Sequence, residues 1–571
     1  MTKSVGSVVH CANRAIDWSA AGRLAALAAA SLFLASGAIA APNAASAAAD
    51  DARDQRIARL EAVVAALQQR VEQDAVIGQQ NAELKSEVGD LQAQVADLKS
   101  STASQIQDVR QTAEAAPQVK FPNGRPTFAT ADGKFTASLR GVLQFDTAAY
   151  YQSAPGIATG AGANDFRRDG PAIGTSGIDL AHARDLKDGD LWRRARIGFD
   201  GTAFGAFDYR LLIDFAGAGV ENAGELYEGW VQYSGLKPLK FRVGAFPPSD
   251  GLEDQGSTNG MPFLERPGAS DVARNLAAGD TRTAAAIMGN GDHWFGSLAV
   301  TGRTIGVINT GTAAPTAQTF RDQLGLVGRA AFSPKVGDVF LHFGVHGSYV
   351  VDAPNVTGPN AAGVTPVVGN YAIRFNDTPE LRVDGTKFID TGAIPARHAS
   401  EVGLEFAAQR RNLFLQSEYQ NFQVNRTDGF SNPNFSAWYV EATWLITGET
   451  RPYNTGTAAF DAPPVTHPFK LGAGGGWGAW EIGVRYSDTD LNYHAGAFGS
   501  AAAADAVRGG NQRIWTAGVN WYLNPVVRVM LDVQHVNISR LSPSAAAYST
   551  PVGAQIGQSY NTIAVRTQAA F

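Results

Sequence analysis

The chain has 571 residues, of which 44% are hydrophobic, 18% charged and 9% aromatic, and this composition excludes a mainly disordered protein. The formal net charge of −6 lacks the basic excess of a nucleic-acid binder. The one cysteine, Cys11, lies in a segment that we predict is removed, so the sequence excludes a disulfide framework, a thiolate nucleophile and a cysteine-based zinc site.

The N-terminal segment has the features of an export signal. Basic residues precede an apolar run over 24–41, and Ala38-Ile39-Ala40 fits the A-x-A cleavage pattern. We therefore predict a signal peptide over 1–40 and export through the periplasm. The alternative is a membrane anchor, because about 18 apolar residues is the lower limit for spanning. No later segment offers 18 apolar residues without charge, which excludes further membrane helices but not a membrane β-barrel.

Residues 51–112 are predicted to form one helix with a coiled-coil repeat and a phase slip near Gly78. Asn81 on the seam is expected to fix register and oligomer state. The alternative is a lone amphipathic helix packed on the following domain. Prolines in 113–126 predict a linker after the helix. The seam residues are Ile57, Leu60, Val64, Leu67, Val71, Ile77, Asn81, Leu84, Val88, Leu91, Val95 and Leu98.

From 127 to 571 the hydrophobic period changes from 3.5 to 2, as in half-buried strands. Within long strands one face is aromatic and branched while the other carries Arg, Asp and Gln, which predicts lipid outside and water inside. The expected fold is an all-β transmembrane β-barrel of about 16 antiparallel strands, preceded by the N-terminal α-helical coiled coil. A chain of β-sandwich domains is the alternative, but the sequence lacks domain-length repeats. Aromatic girdles are predicted at Trp230/Tyr233, Trp438/Tyr439 and Trp521/Tyr522.

The last predicted strand, NTIAVRTQAAF, ends on Phe571. A terminal aromatic on an amphipathic strand resembles the signal by which bacterial outer-membrane barrels are recognised by the barrel-assembly machinery. We therefore predict a role for Phe571 in barrel assembly.

Five long segments of the chain carry a family resemblance. They are RRARIGFDGTAFGAFDYRLLIDFA (193–216), FNDTPELRVDGTKFIDTGAI (375–394), WLITGETRPY (444–453), GGWGAWEIGVRYSDTDLN (475–492) and GVNWYLNPVVRVMLDVQHV (518–536). These segments resemble the phosphate-selective porin O and P family of Gram-negative outer membranes. The resemblance implies a 16-stranded barrel, a homotrimer embedded in outer-membrane lipid, and passive diffusion of small anions such as phosphate. Many members of that family also carry an N-terminal coiled coil.

The family's phosphate specificity rests on lumenal arginines with lysines at a constriction. Strand parity places six arginines of this chain on the wet face, and three more fall in 246–283, which resembles an inward-folded constriction loop. Guanidinium groups stay charged and offer bidentate donors to phosphate. The predicted ion pathway is Arg140, Arg194, Arg196, Arg210, Arg242, Arg266, Arg274, Arg282 and Arg329.

The sequence departs from the family pattern in its charges. Lys is absent from 241 to 334, and acidic residues share the wet face with the arginines. A weakly selective general porin is therefore one alternative function. A separate alternative for each single arginine is that it pairs with one of these aspartates and only holds the barrel wall. Another alternative is a structural tether or adhesin, in which the coiled coil contacts peptidoglycan and the barrel is closed.

No catalytic or metal site is predicted. His342 and His346, four residues apart on a strand, would be separated by about 13 Å, too far to share a metal ion, and are expected to line the lumen. Neither a GxSxG elbow nor a phosphate-binding loop with Lys occurs. We therefore predict a protein that is not an enzyme and needs no cofactor.

Overall fold

The computed structural model describes residues 53–66, 78–152, 185–216, 225–274, 276, 281–304, 323–353, 372–472, 474–542 and 553–571. The chain divides into two compact units, Met1–Ala116 and Pro117–Phe571. The predicted signal peptide over 1–40 lies outside the described residues. No helix among those residues is long and apolar enough to cross a membrane.

The first unit contains two helices, α1 over 53–66 and α2 over Gly78–Ala115. Val64 and Val95 line the same cavity, so the two helices lie side by side. One continuous helix would separate these residues by about 46 Å, and the prediction of a single helix over 51–112 is therefore wrong. The described part of α2 begins at Gly78, near the predicted phase slip of the seam.

The predicted coiled coil remains a prediction. Ile57, Val64 and Val88 are buried, whereas Leu98 and Val109 are 59% and 67% exposed. The backbone of Asn81 lies in α2, but its side chain lies outside the described part of the chain.

The predicted linker over 113–126 is partly ordered as a small hairpin. α2 ends at Ala115, and strand Gln118–Lys120 then pairs with strand Thr127–Ala129. A 3-10 turn, Pro122–Gly124, lies between them.

Sixteen long strands form a closed antiparallel barrel in the second unit, as predicted. Each strand pairs with its neighbours in sequence order, and β16 pairs with β1 from Tyr560↔Gln152 to Ala570↔Val142. The strands are β1 Thr136–Gln152, β2 Gly189–Ala203, β3 Phe207–Asp214, β4 Glu225–Tyr233, β5 Leu239–Phe246, β6 Arg282–Asn290, β7 Trp294–Thr304, β8 Leu324–Phe332, β9 Val339–Asp352, β10 Ile394–Arg410, β11 Leu413–Arg426, β12 Asn434–Leu445, β13 Ala479–Tyr493, β14 Val507–Tyr522, β15 Val527–Ser539 and β16 Ser559–Ala570.

Shorter elements lie in the connections. Two short helices, α3 Leu252–Gln255 and α4 Gly268–Ala273, lie between β5 and β6. The short strands are Lys335–Val336, Ala372–Ile373, Asn376–Asp377, Ile389–Asp390, Tyr453–Asn454 and Ala459–Phe460.

The two faces of the barrel wall reverse the pattern of a soluble protein. Inward-facing Arg194, Gln144 and Arg566 are at most 1% exposed, whereas outward-facing Leu143 and Leu404 are 48% and 59% exposed. An apolar exterior with a polar interior fits a barrel surrounded by lipid. The alternation of polar and apolar residues in the sequence therefore corresponds to the inner and outer faces of the barrel wall.

The predicted aromatic girdle is correct for only part of its members. Tyr233 and Trp438 are 40% and 38% exposed, but Trp230, Tyr439 and Tyr522 are buried. Those three face the lumen because consecutive residues of a strand point to opposite faces.

The last residue lies at the seam that closes the barrel. Phe571 exchanges two backbone hydrogen bonds with Gly141 of β1, of 2.9 and 3.0 Å. Its predicted role in assembly remains a prediction.

Candidate functional site

The connection between β5 and β6 folds into the barrel, and we call its described residues, 247–274, 276 and 281, the inner loop. Phe263 and Leu264 are fully buried. The backbone N–H of Leu264 donates to Asp532 of β15 over 2.8 Å, and Asn520 of β14 donates to the carbonyl of Pro262 over 2.7 Å. The inner loop therefore crosses the lumen and is bonded to the far wall.

A second inserted segment, 374–391, belongs to the connection between β9 and β10 and packs beside the inner loop. Glu380 is fully buried, accepts a hydrogen bond from Ser487 over 2.7 Å and pairs with Arg485 over 2.5 Å. Arg382 pairs with Asp271 of the inner loop. Together the two segments contact the inner face of β11 and of β13–β16.

Three predicted pathway arginines, Arg140, Arg210 and Arg242, lie on the inner wall of β1–β5. The side chain of Arg140 is 31% exposed and lies 2.5 Å from Asp200, and that of Arg210 is 24% exposed. Arg242 stacks on the ring of Trp230 at 4.1 Å and donates to Gln232. These side chains are partly accessible to water.

Arg125 of the N-terminal hairpin joins this group by pairing with Asp200, and Lys240 lies two residues before Arg242 on the same face of β5. We define the basic patch as Arg125, Arg140, Arg210, Lys240 and Arg242, interleaved with Asp200, Asp208 and Glu228. It lies near the short turns 204–206 and 234–238.

Three other predicted wall arginines are buried in bonds to their neighbours. Arg194 donates to Gln144 over 2.7 Å, and Arg196 pairs with Asp214 over 2.6 Å. Arg329 makes a bidentate pair with Glu405, both bonds 2.8 Å. Buried pairs of this kind hold the wall, and their guanidinium groups have little surface left for a passing ion.

The three predicted arginines of the 246–283 stretch are also buried. Arg266 donates to the carbonyls of Glu253, Asp254 and Gly256, and Arg274 pairs with Asp254 over 2.7 Å. Arg282 donates to the carbonyl of Leu276 over 3.2 Å. These bonds hold the inner loop in its fold.

Sequence parity missed several inward arginines. A register shift between Gln144 and Phe145 opposite β2 places Arg193 inside together with Arg194, and Arg193 pairs with Glu265 over 2.7 Å. A β-bulge of this kind breaks the period of two. Further buried arginines that were not among the predicted pathway residues are Arg451, Arg485, Arg508, Arg528, Arg540 and Arg566.

Glu265 is the strongest anchor of the inner loop. Burial disfavours its charge, but Arg193 and Arg566 outweigh burial and hold the pKa of Glu265 below its ordinary value. Arg566 also pairs with Asp146 of β1 over 2.6 Å. The carboxylate therefore stays ionised and ties the loop to β2 and β16.

A family model described as phosphate-selective porin O and P matches residues 171–561. The chain belongs to this family. The porin is 26% identical over 341 residues to an uncharacterized protein of Caulobacter vibrioides, covering 59% of the chain and 61% of that relative, so the match spans less than two thirds of the relative's length. It is 24% identical over 433 residues to Porin O of Pseudomonas aeruginosa, covering 73% of the chain and 86% of that relative.

Among solved structures, an anion-selective porin from Comamonas acidovorans has 13% sequence identity and a TM-score of 0.40, covering 76% of the chain and all of that structure. Family membership and the closed barrel identify the protein as an outer-membrane porin of the Gram-negative type. The family consists of channel proteins.

Proposed function

We propose that this porin lets small anions, phosphate among them, diffuse passively along the basic patch. The observation that carries the proposal is the charge of the water-accessible wall. Five cationic side chains of the patch are interleaved with three carboxylates, whereas the other predicted arginines are buried in bonds to neighbouring groups.

The chemistry of the patch suits weak and repeated anion binding. Arg125, Arg140 and Arg210 share Asp200, and Arg210 also pairs with Glu228, so three guanidinium groups are balanced by two carboxylates. Arg242 lies over the ring of Trp230 and donates from Nε and Nη2 to Gln232, which leaves Nη1 to donate to a passing anion. Sites that replace part of an anion's hydration shell without holding it allow both binding and release.

The test measures ion preference in planar bilayers. The full-length porin should give stepwise currents, and its reversal potential in a phosphate gradient should indicate anion preference. The triple substitution Arg140→Gln, Arg210→Gln and Arg242→Gln should lower that preference by about fivefold or more, because one charge near a passing ion contributes about 1 kcal/mol in water.

A matched control replaces three exposed arginines that each pair with one aspartate. Arg374, Arg410 and Arg513 are 55–63% exposed and lie outside the patch. Replacing them with Gln should leave the reversal potential unchanged. Cation preference of the unaltered porin would refute the anion proposal and favour a weakly selective general porin. The absence of any current would favour a closed barrel that serves as a tether.

We further propose that the porin assembles as a homotrimer, as the family resemblance implies, and that Phe571 is read by the barrel-assembly machinery. Its position at the closing seam supports the second proposal. Chemical crosslinking of the intact outer membrane, and the yield of folded Phe571→Ala, test the two separately.

A further inference from the structure

Acidic side chains collect where the inner loop begins and meets β9–β11. Asp250 is 2% exposed, and Glu401 and Glu418 are each 1% exposed. Within the part of the chain that the structure describes, both carboxylate oxygens of Asp250 lack a hydrogen-bond partner, and so does Oε1 of Glu401. A buried carboxylate without a partner is costly unless a cation or a proton offsets its charge.

One histidine faces these carboxylates. Nε2 of His346 lies 3.2 Å from Oε1 of Glu401. Asp250, His346 and Glu401 each offer a ligand atom, and the three atoms lie within 4.8 Å of one another. Two ligands that share one tetrahedral ion at about 2.1 Å lie roughly 3.4 Å apart, close to the histidine–glutamate separation.

The other ring nitrogen of His346, Nδ1, contacts a neighbouring carboxylate that fixes the orientation of the ring. Nδ1 of His346 lies 2.8 Å from Oε1 of Glu405, and Glu405 is itself held by Arg329. A ring that donates Nδ1–H to a carboxylate turns the lone pair of Nε2 toward its other side, and metal-binding histidines are usually oriented in this way. Here that side faces Asp250 and Glu401.

The loop backbone approaches the wall closely at this point. Gly251 has a φ of +88°, and a Cβ added to it would lie 2.7 Å from Oε1 of Glu418. Glu418 accepts backbone hydrogen bonds from Leu252 and Glu253, of 2.6 and 3.0 Å. Asp250 is therefore placed by the loop itself, next to a wall carboxylate whose two oxygens each already accept a hydrogen bond.

We propose that Asp250, His346 and Glu401 bind one first-row divalent metal ion of the Zn²⁺ type, with lumenal water completing the coordination. Mixed imidazole and carboxylate ligands suit such an ion. The ion offsets two buried carboxylates and links the inner loop to β9 and β10. The earlier argument against a metal shared by His342 and His346 stands, because this site takes one of them together with ligands from other elements.

The experiment measures Zn²⁺ binding to the purified full-length porin after treatment with a chelator. Equilibrium dialysis against micromolar ZnCl₂ should load one Zn²⁺ per chain. Asp250→Asn and His346→Gln should each abolish loading. The matched control is His535→Gln, because His535 is exposed on the outer face. It should bind as much Zn²⁺ as the unaltered chain.

Asp250→Asn removes a carboxylate that accepts no hydrogen bond from any described residue, so this variant is expected to fold and keeps the test valid if His346→Gln does not. Hydrogen exchange of residues 250–256 should slow on adding Zn²⁺ in the unaltered protein only. Failure of the unaltered chain to bind Zn²⁺, or equal binding by both variants, overturns the proposal and leaves a proton as the compensating charge. Ion preference in bilayers does not enter this test, so the two proposals fail independently.

Discussion

The two sides of the barrel interior use the same residue types in opposite ways. Beside β1–β5, the basic patch keeps Arg140 and Arg210 partly exposed to water around a shared Asp200. Beside β9–β16, Arg485 and Arg566 are at most 1% exposed and bind carboxylates of the inserted segments. Our proposal therefore makes ion preference depend on which lumenal arginines still reach water after their partners are satisfied, and not on the number of lumenal arginines.

The largest expected difference between the two sides is in stability. Arg566→Met leaves Asp146 and Glu265 buried without their shared partner, and should lower the free energy of unfolding by about 3–5 kcal/mol. Arg140→Met should lower it by about 1 kcal/mol or less, since its pair with Asp200 is partly solvated. Urea unfolding in lipid vesicles measures both values. Equal losses would mean that the two sides are not distinct.

A smaller effect is expected when a carboxylate of the patch is neutralised. Asp200 faces three guanidinium groups, from Arg125, Arg140 and Arg210, so Asp200→Asn should raise anion preference about fivefold. The control Asp338→Asn removes a charge that is 49% exposed and paired with Arg410. Reversal potentials of the two variants should differ, and identical values would contradict a selective role for the patch.

The smallest expected effect is that of salt. Raising ionic strength from 0.1 to 1 M shortens the Debye length from about 10 to 3 Å, which screens partly exposed charges more than buried ones. Anion preference should therefore fall with salt while the unfolding midpoint of the barrel changes little. A preference that does not depend on salt would place the selective charges among the buried pairs.

Much of the fold follows from local pattern, whereas most of the site does not. Alternation alone places Arg194 and Arg210 inside and Leu143 outside, because the side-chain period of a strand is two. The bulge that turns Arg193 inward cannot be recognised from the alternation of polar and apolar residues. The girdle residues Tyr439 and Trp230 show the same limit, since aromatic content alone does not tell the two faces of a strand apart.

Long-range pairs could not be predicted from the sequence at all. Glu265 and Arg566 are 301 residues apart, and only the path of the inner loop brings them together. His342 and His346 are far apart along their strand, yet both contact Glu405 from the next strand. The spacing along one strand therefore excluded a metal ion bound by both histidines. It gave no information about a third residue that contacts both of them.

The pairing of β16 with β1 has a consequence for biogenesis. The two strands that close the wall are the ones furthest apart along the chain, so each presents an unsatisfied edge until the other arrives. Such edges readily join foreign strands. A chaperone that shields β1 during passage to the membrane would thus protect the precursor from aggregation until the final hairpin docks.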